Sequence, residues 1–331
     1  MKKVGIIGVS GYTGLELIKI LLSHTSFEIS YLGASTQGEI SEIFPQLRGV
    51  LQMPVRVADA VDAAKACDLI FLALPHEKAM EFAREILKFK SVKVVDLSAD
   101  YRLSRELYEK NYTAHLDPQN LSHAVYGLPE LNREKIRTAR LTANPGCYPT
   151  CSILALAPFI RLLDPDTGVF IDAKSGVSGA GKALKTSSHF VSVNENAGAY
   201  SPISHRHADE IKEQLQILKG GGFSTLFVPN LLPITRGMLV SAFGVLQKSV
   251  DAEAVLREFY ANEPFVRVRS EPVSIKNVTG THFCDIFVKT AGDKIWINSA
   301  IDNLLRGASS QAVANANLMC GFAEATALPR I

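Results

Sequence analysis

A short apolar strand pattern at residues 4–7 runs directly into Gly8-Val9-Ser10-Gly11-Tyr12-Thr13-Gly14, and Leu15, Ile18, Leu21 and Leu22 then fall at helical spacing. A strand, a glycine loop and a helix in that order constrain the fold more than any other feature of the chain. Glycines let the backbone approach a pyrophosphate, and the helix N-terminus supplies unpaired N–H groups and a positive dipole end. The spacing is G-x-x-G-x-x-G, so the simple G-x-G-x-x-G fingerprint does not match, and a ligand-free glycine turn is the alternative. The cofactor candidates here are Gly8, Ser10, Gly11, Tyr12, Thr13 and Gly14.

The alternation continues through the first half. Residues 27–32, 69–74 and 92–96 are strand-like, and residues 77–87 read as a helix. Strands alternating with helices imply crossover units and a parallel sheet. The expected fold is α/β, with a Rossmann-type doubly wound parallel sheet. After about Cys147 the pattern changes. Residues 169–174, 225–229, 238–246, 285–289 and 294–301 are strand-like with fewer helices between them, which predicts an α+β domain with a mainly antiparallel sheet. The Ala-rich segment 309–324 predicts a terminal helix that returns to the first domain. The expected division is therefore residues 1–146 with 309–331, and residues 147–308.

Composition removes other classes. The 331 residues are 47% hydrophobic and 21% charged, ordinary for a globular chain and unlike a disordered or collagenous one. A net charge of +2 offers no basic stripe for nucleic acid. No apolar run approaches the ~20 residues that cross a bilayer. Five cysteines in so long a chain do not read as a disulfide framework. The expectation is a cytoplasmic protein with free thiols and no nucleic-acid or membrane partner. After the second strand the chain reads Gly33-Ala34-Ser35-Thr36, without the acid that holds the ribose 2′-OH of NAD. Ser35 and its neighbours suit a 2′-phosphate instead, so NADP is the expected cofactor.

Gly176-Val177-Ser178-Gly179-Ala180-Gly181-Lys182 imitates a P-loop, but Ala183 stands where Ser or Thr would bind Mg²⁺. A loop that closes on nicotinamide or a substrate phosphate is the better reading. Asn144-Pro145-Gly146-Cys147-Tyr148-Pro149-Thr150 precedes an apolar helical run. A thiol at a helix N-terminus has its thiolate stabilised and becomes nucleophilic, whereas an isolated buried Cys is inert. Cys151, inside the run, reads as core. His205-Arg206-His207 stands before a helix that carries Ile211, Leu215 and Leu218. Zinc bound by Cys147, Cys151, His205 and His207 does not match a standard structural spacing, and no metal is expected.

These residues together are similar to the N-acetyl-γ-glutamyl-phosphate reductase family, arginine-biosynthesis relatives of aspartate-semialdehyde dehydrogenase. The resemblance runs essentially end to end. It rests on Gly8-x-x-Gly11-Tyr12-Thr13-Gly14, Asp96-Leu97-Ser98-Ala99-Asp100-Tyr101-Arg102, Tyr126-Gly127-Leu128-Pro129-Glu130, Asn144 to Thr150, Ser175 to Lys182, His205-Arg206-His207 and Asp302-Asn303-Leu304-x-x-Gly307-Ala308. Tyr101 stands where Phe is expected, and the loop after the second strand does not match.

The resemblance implies an enzyme that reduces an acyl phosphate to an aldehyde with NADPH, through a thioester on Cys147. It implies His205 as acid/base and His207 as substrate-binding, an order open to exchange, with Glu210 orienting a histidine. Arg102 is expected on the substrate phosphate, its alternative being a structural ion pair with Asp100 or Glu106. Asn144 and the Cys147 N–H are candidate oxyanion donors. Lys182 and Arg236 are weaker substrate candidates; Ser178, Gly179, Asn303 and Gly307 are expected near the cofactor. A homotetramer or homodimer is implied, assembled through the sheet of the second domain. The competing readings are a reductase of N-acetyl-aminoadipyl or aspartyl phosphate, and a non-catalytic NADP-binding regulator.

Overall fold

The computed structural model describes residues 1–331. The backbone divides into two compact units, Met1–Pro145 with Ala308–Pro329, and Gly146–Gly307 with Arg330–Ile331.

The first unit is built on an eight-stranded sheet. Its order is Gly38–Glu39, Pro54–Val57, Phe27–Ala34, Lys2–Ile7, Leu69–Leu72, Lys93–Asp96, Leu141–Ala143 and Val125–Tyr126. Every neighbouring pair is parallel except Gly38–Glu39, which lies antiparallel on Pro54–Val57. Leu69–Leu72 reads Leu-Ile-Phe-Leu and is buried at every residue. Continuous apolar strands of that kind belong to parallel sheets covered on both faces. The chain leaves Lys2–Ile7 in one direction to Phe27–Ala34 and returns on its other side at Leu69–Leu72. That reversal opens a crevice at the carboxyl end of Lys2–Ile7, where such folds bind ligands.

The helix Ser310–Met319 is buried at every residue, including Gln311, Asn315 and Asn317. Its amide N–H groups find partners within the unit. Gln311 Nε2 and Asn315 Nδ2 both donate to the Gly127 carbonyl, at 3.1 and 2.9 Å. Asn317 Nδ2 donates to the carbonyls of Glu324 and Thr326. Buried amides without such partners would be costly, so the helix is specified by polar pairing as much as by its alanines.

The second unit carries a seven-stranded sheet. Its order is Gly198–Ala199, Thr225–Leu232, Val169–Gly176, Met238–Val245, Lys294–Ile301, Cys284–Ala291 and Val266–Val268. Four of the pairings are antiparallel; Thr225–Leu232 on Val169–Gly176 and Val266–Val268 on Cys284–Ala291 are parallel. The helix Cys147–Leu156 packs on Met238–Val245 and Lys294–Ile301. Val240 and Ala242 are buried, while Phe243, on the alternate face, is exposed. Phe170, Phe243 and Trp296 stand opposite one another across three adjacent strands. Phe170 and Phe243 are 52% and 47% exposed, an uncovered aromatic row on the sheet. No helix is long and apolar enough to cross a membrane.

Candidate active site

The first glycine loop fits a dinucleotide pyrophosphate. Gly8 has φ +88°, and a Cβ there would lie 2.2 Å from the Ala73 carbonyl oxygen, because the loop crosses the segment after Leu69–Leu72. A Cβ at Gly14 would meet the Val9 carbonyl at 2.2 Å. Gly11 differs: the nearest atom to a Cβ there would be 3.8 Å away, so its missing side chain leaves an open cradle. The helix Tyr12–Leu22 starts at Gly11 with no side-chain cap and no acid in its first turn. Its positive end is therefore not offset locally, as an anion site requires. Ser35 and Thr36, at the end of Phe27–Ala34, are exposed.

The Asp96-to-Arg102 stretch folds into a buried network within the first unit. Ser98 donates from N and Oγ to Asp96, at 2.9 and 2.8 Å. Asp100 accepts from the N–H groups of Glu77 and Met80 and from the Tyr108 hydroxyl. Burial, then the neighbouring Asp100, pushes the Asp96 carboxyl up to about 7. Arg102 was expected on the substrate phosphate. It is instead buried, with Nε donating to the Asn144 carbonyl at 2.7 Å and Nη2 to the Leu97 carbonyl at 2.6 Å. Asn144, expected as an oxyanion donor, is also tied into the scaffold. Its Nδ2 donates to the Ala308 carbonyl at 3.1 Å, and its Oδ1 accepts from Asn315 at 3.0 Å. The extra hydroxyl of Tyr101 is absorbed by Asp117, at 2.7 Å.

In the second unit Cys147 is the first residue of the helix Cys147–Leu156 and is partly exposed. Gly146 precedes it, with no side-chain cap and no acid in the first turn. The helix end thus favours a thiolate at the position where the sulfur stands. Two side chains hold the turn. Glu210, buried, accepts the Gly146 N–H at 3.1 Å, and Thr150 donates to the Gly146 carbonyl at 2.9 Å. Glu210 therefore reaches the backbone of the residue before Cys147, a role its position in the sequence did not suggest. Cys151 is fully buried, lies 3.1 Å from the Ser299 hydroxyl, and has its thiol pushed up to about 12 by burial. It is core, as expected.

His205 packs edge-on to the rings of Tyr148, Tyr200, Phe227 and His207, with centroids 4.8–5.8 Å apart. Burial, helped by the Arg206 charge, pushes its pKa down to about 4. Its Nδ1 accepts the His207 backbone N–H at 3.1 Å. A neutral imidazole carries one proton, so this bond assigns it to Nε2. In that form the Nε2 of His205 is a hydrogen-bond donor. His207 opens the helix His207–Lys219.

The second glycine loop leaves Val169–Gly176 as a 3₁₀ turn, Val177–Ala180, and no α-helix follows it directly. That geometry is not a P-loop's. Lys182 is exposed beyond it. Asn303 brackets two loops: its Nδ2 donates to Ser178 Oγ at 3.0 Å, and its Oδ1 accepts the Gly237 N–H at 2.7 Å. Gly307 lies in a five-residue π-helical turn, Leu305–Ser309, a form frequent at functional sites. A Cβ at residue 307 would fall 2.7 Å from the Cys147 Cβ. Gly307 thus abuts Cys147. No group of His, Cys, Asp and Glu side chains has metal-binding geometry.

Sequence reasoning left Asp302 and Arg306 without a role. Asp302 is fully buried and accepts the N–H groups of Leu304, Leu305 and Gly280. Arg306 is fully buried beside His282, whose pKa is held well below the ordinary histidine range by burial and by that guanidinium. Asp302 and Arg306 stand in and beside the quoted 302–308 motif; what the sequence lacked was any sign that they are buried.

Two outcomes follow from this geometry. Gly307→Ala should lower kcat by at least tenfold while dinucleotide affinity stays within about twofold; an unchanged kcat would detach Gly307 from Cys147. His205 ionises near 4 when folded, against ~6.5 when unfolded. The unfolded chain therefore takes up a proton between those values that the folded chain does not, and stability falls as pH drops from 6.5 to 4. Urea titrations across that window should show a shallower decline for His205→Asn than for the wild type. Equal slopes would contradict the half-buried neutral imidazole.

The chain is similar to known proteins over its whole length. Residues 3–139 match the semialdehyde dehydrogenase NAD binding domain, and residues 147–303 match the semialdehyde dehydrogenase dimerisation domain. The chain is 74% identical over 331 residues to an N-acetyl-gamma-glutamyl-phosphate reductase of Campylobacter hominis, covering 100% of this chain and 99% of that one. It is 68% identical to the protein of that name in Campylobacter curvus, covering 99% and 97%. Among solved structures, aspartate semialdehyde dehydrogenase II of Vibrio cholerae superposes with a TM-score of 0.74 at 15% identity, over 97% of this chain and 98% of that one, a likeness of fold. With both domain families matched and identities this high over its full length, the chain belongs to the N-acetyl-gamma-glutamyl-phosphate reductase family of semialdehyde dehydrogenases.

Proposed function

We propose that the chain reduces N-acetyl-γ-glutamyl phosphate to N-acetylglutamate 5-semialdehyde and phosphate with NADPH, a step of arginine biosynthesis and the reduction that its relatives' names describe. The observation that carries this reading is the placement of Cys147, partly exposed at an uncapped helix N-terminus and held there by Glu210.

The chemistry requires a nucleophile of this kind. A carboxylate accepts hydride poorly, so it arrives activated as an acyl phosphate. The Cys147 thiolate attacks the acyl carbon, an S–C bond forms, and the C–O bond to phosphate breaks. The thioester is a better hydride acceptor, and one hard step becomes two easier ones. Bound NADPH supplies the hydride. The oxyanion that results needs donors arranged in advance; the Nε2–H of His205 and the Cys147 N–H serve. The oxyanion takes a proton from a histidine as the thiohemiacetal forms; collapse returns that proton to the histidine, breaks the C–S bond, releases the aldehyde and returns the thiolate. His205 has its Nδ1 occupied, so His207 carries that proton, the exchange of roles the sequence left open. Arg102 and Asn144 hold the loop ahead of the nucleophile, and Lys182 meets the phosphoryl group.

The open cradle at Gly11, with Gly8, Ser10, Tyr12, Thr13 and Gly14, supports a dinucleotide pyrophosphate, and the hydroxyls of Ser35 and Thr36 support a 2′-phosphate. Ser178 and Gly179 lie in the loop of the second unit that Asn303 brackets. The exposed row of Phe170, Phe243 and Trp296 supports assembly of two copies face to face, within the segment matched by the dimerisation domain. A homodimer formed through that face, paired again into a tetramer, is the assembly we propose.

The reaction is tested in reverse. N-acetylglutamate 5-semialdehyde, phosphate and NADP⁺ should yield NADPH, and omission of phosphate should stop it; formation of NADPH without phosphate would argue for a plain aldehyde dehydrogenase. Aspartate semialdehyde should be at least tenfold poorer in kcat/KM. For the assembly, sedimentation of Phe243→Glu should show a smaller particle than the wild type, and an unchanged mass would move the interface off this face.

A further inference from the structure

Arg306 is the largest fully buried side chain of the protein. It belongs to the π-helical turn Leu305–Ser309, where the Gly307 N–H reaches back five residues to the Asp302 carbonyl at 2.9 Å. The next residue, Gly307, stands against the nucleophile: a Cβ there would lie 2.7 Å from the Cys147 Cβ and 3.1 Å from its Cα. A side chain with a permanent positive charge is therefore buried one residue from the wall of Cys147.

The far end of that side chain is fixed. Its Nη1 donates to Nε2 of His282 at 2.5 Å. His282 is fully buried with the Phe265 ring edge-on at 4.6 Å, and burial, with the guanidinium beside it, keeps its pKa well below the ordinary histidine range. A neutral ring that accepts at Nε2 carries its proton on Nδ1, so this bond holds the guanidinium without cancelling its charge. The loop before His282 is itself fastened to the turn, through the Gly280 N–H on Asp302 at 2.8 Å.

Packing does not call for a charge here. An apolar residue of similar length would fill the volume without the solvation that a buried ion forfeits, and such replacements are often neutral or stabilising. The electrostatics of the nucleophile does call for one. Glu210 sets a buried carboxylate on the Gly146 N–H, beside Cys147, and a carboxylate there opposes a thiolate. His205 is neutral, the Cys151 thiol and the Tyr200 hydroxyl are each pushed up to about 12, and the Tyr148 hydroxyl is pushed up as well, so none of them carries a charge near pH 7. His207 changes its charge in the cycle described above, and Arg236 faces Asp302 in an ion pair. Lys182 and Arg206 are exposed, where water and salt screen them. Arg306 acts from inside the protein, where a charge is felt more strongly than across water.

We propose that Arg306, held by His282, supplies the buried positive charge that keeps Cys147 ionised against Glu210. The proposal rests on Cys147 as the nucleophile of the reaction described above. Arg306 touches no reacting atom; it and His282 are positioning residues that act through the sulfur.

The test follows the rate of Cys147 alkylation by iodoacetamide against pH in the free enzyme, with peptide mass identifying the labelled residue. In Arg306→Met the midpoint should rise by about one pH unit, and the rate below it should fall roughly threefold to tenfold. Arg306→Lys restores a charge and should bring the midpoint most of the way back. His282→Leu releases the guanidinium and should shift it as Arg306→Met does, by less. In the reverse assay, kcat/KM of Arg306→Met should be reduced near pH 7 and recover as the pH is raised, which a merely disordered site would not do. Arg306→Gln serves where Arg306→Met does not fold, as melting would reveal. A wild-type midpoint in the folded neutral variant overturns the proposal. So does a shift that Arg306→Lys leaves in place, since packing and not charge would then be its cause. Failure of both neutral variants to fold overturns it too, because the charge would then serve the fold. Midpoints that shift as stated in an enzyme that yields no NADPH from N-acetylglutamate 5-semialdehyde, phosphate and NADP⁺ would support the role of the charge and remove the reaction.

Discussion

The bond from the Gly146 N–H to Glu210 is the constraint on which the site depends. A helix that begins at a cysteine, without a side-chain cap, leaves its first N–H groups and its positive end directed at the sulfur. Most proteins would fill that position with Ser, Thr or Asp. Here the capping duty passes to a buried carboxylate that bonds the residue before the cysteine, and the helix end remains available to a thiolate. Thr150 closes the same turn from within the helix, and Gly307 leaves no space for the turn to shift.

The same device recurs: charged side chains are buried so that loops stay in one conformation. Asp100 fastens the start of the helix Ala79–Ile86 through the Met80 N–H, and Arg102 fastens two carbonyls at strand ends. Asp302 binds three backbone amides and a guanidinium. Burying a charge costs several kcal/mol of solvation unless partners surround it. Each of these groups has that set of partners, and each lies at a loop where a backbone free to wander would misplace a reacting group.

The parts legible in the sequence are those set by local rules. Glycine spacing after residues 4–7 marked the cradle, apolar runs marked the strands, and the apolar run after Cys147 marked the helix that starts at it. The second sheet is mainly antiparallel as expected, with two parallel pairs that no local pattern marks. What the sequence hid depends on distant partners. Arg102 looks like a phosphate ligand until the carbonyls of Leu97 and Asn144 surround it. Asn144 looks like an oxyanion donor until residue 315, far along the chain, takes its oxygen. The tautomer of His205 turns on a single bond, from the His207 N–H to its Nδ1, and spacing alone says nothing of it.

The central claim is that the sulfur of residue 147 becomes acylated before any reduction occurs. Mixing the enzyme with N-acetyl-γ-glutamyl phosphate in the absence of NADPH, quenching in acid and weighing the peptides tests it directly. The account predicts one N-acetylglutamyl group on the peptide that contains Cys147, with one phosphate released per subunit. Phosphate release or turnover with that peptide unmodified, or the label found on another residue, would contradict it.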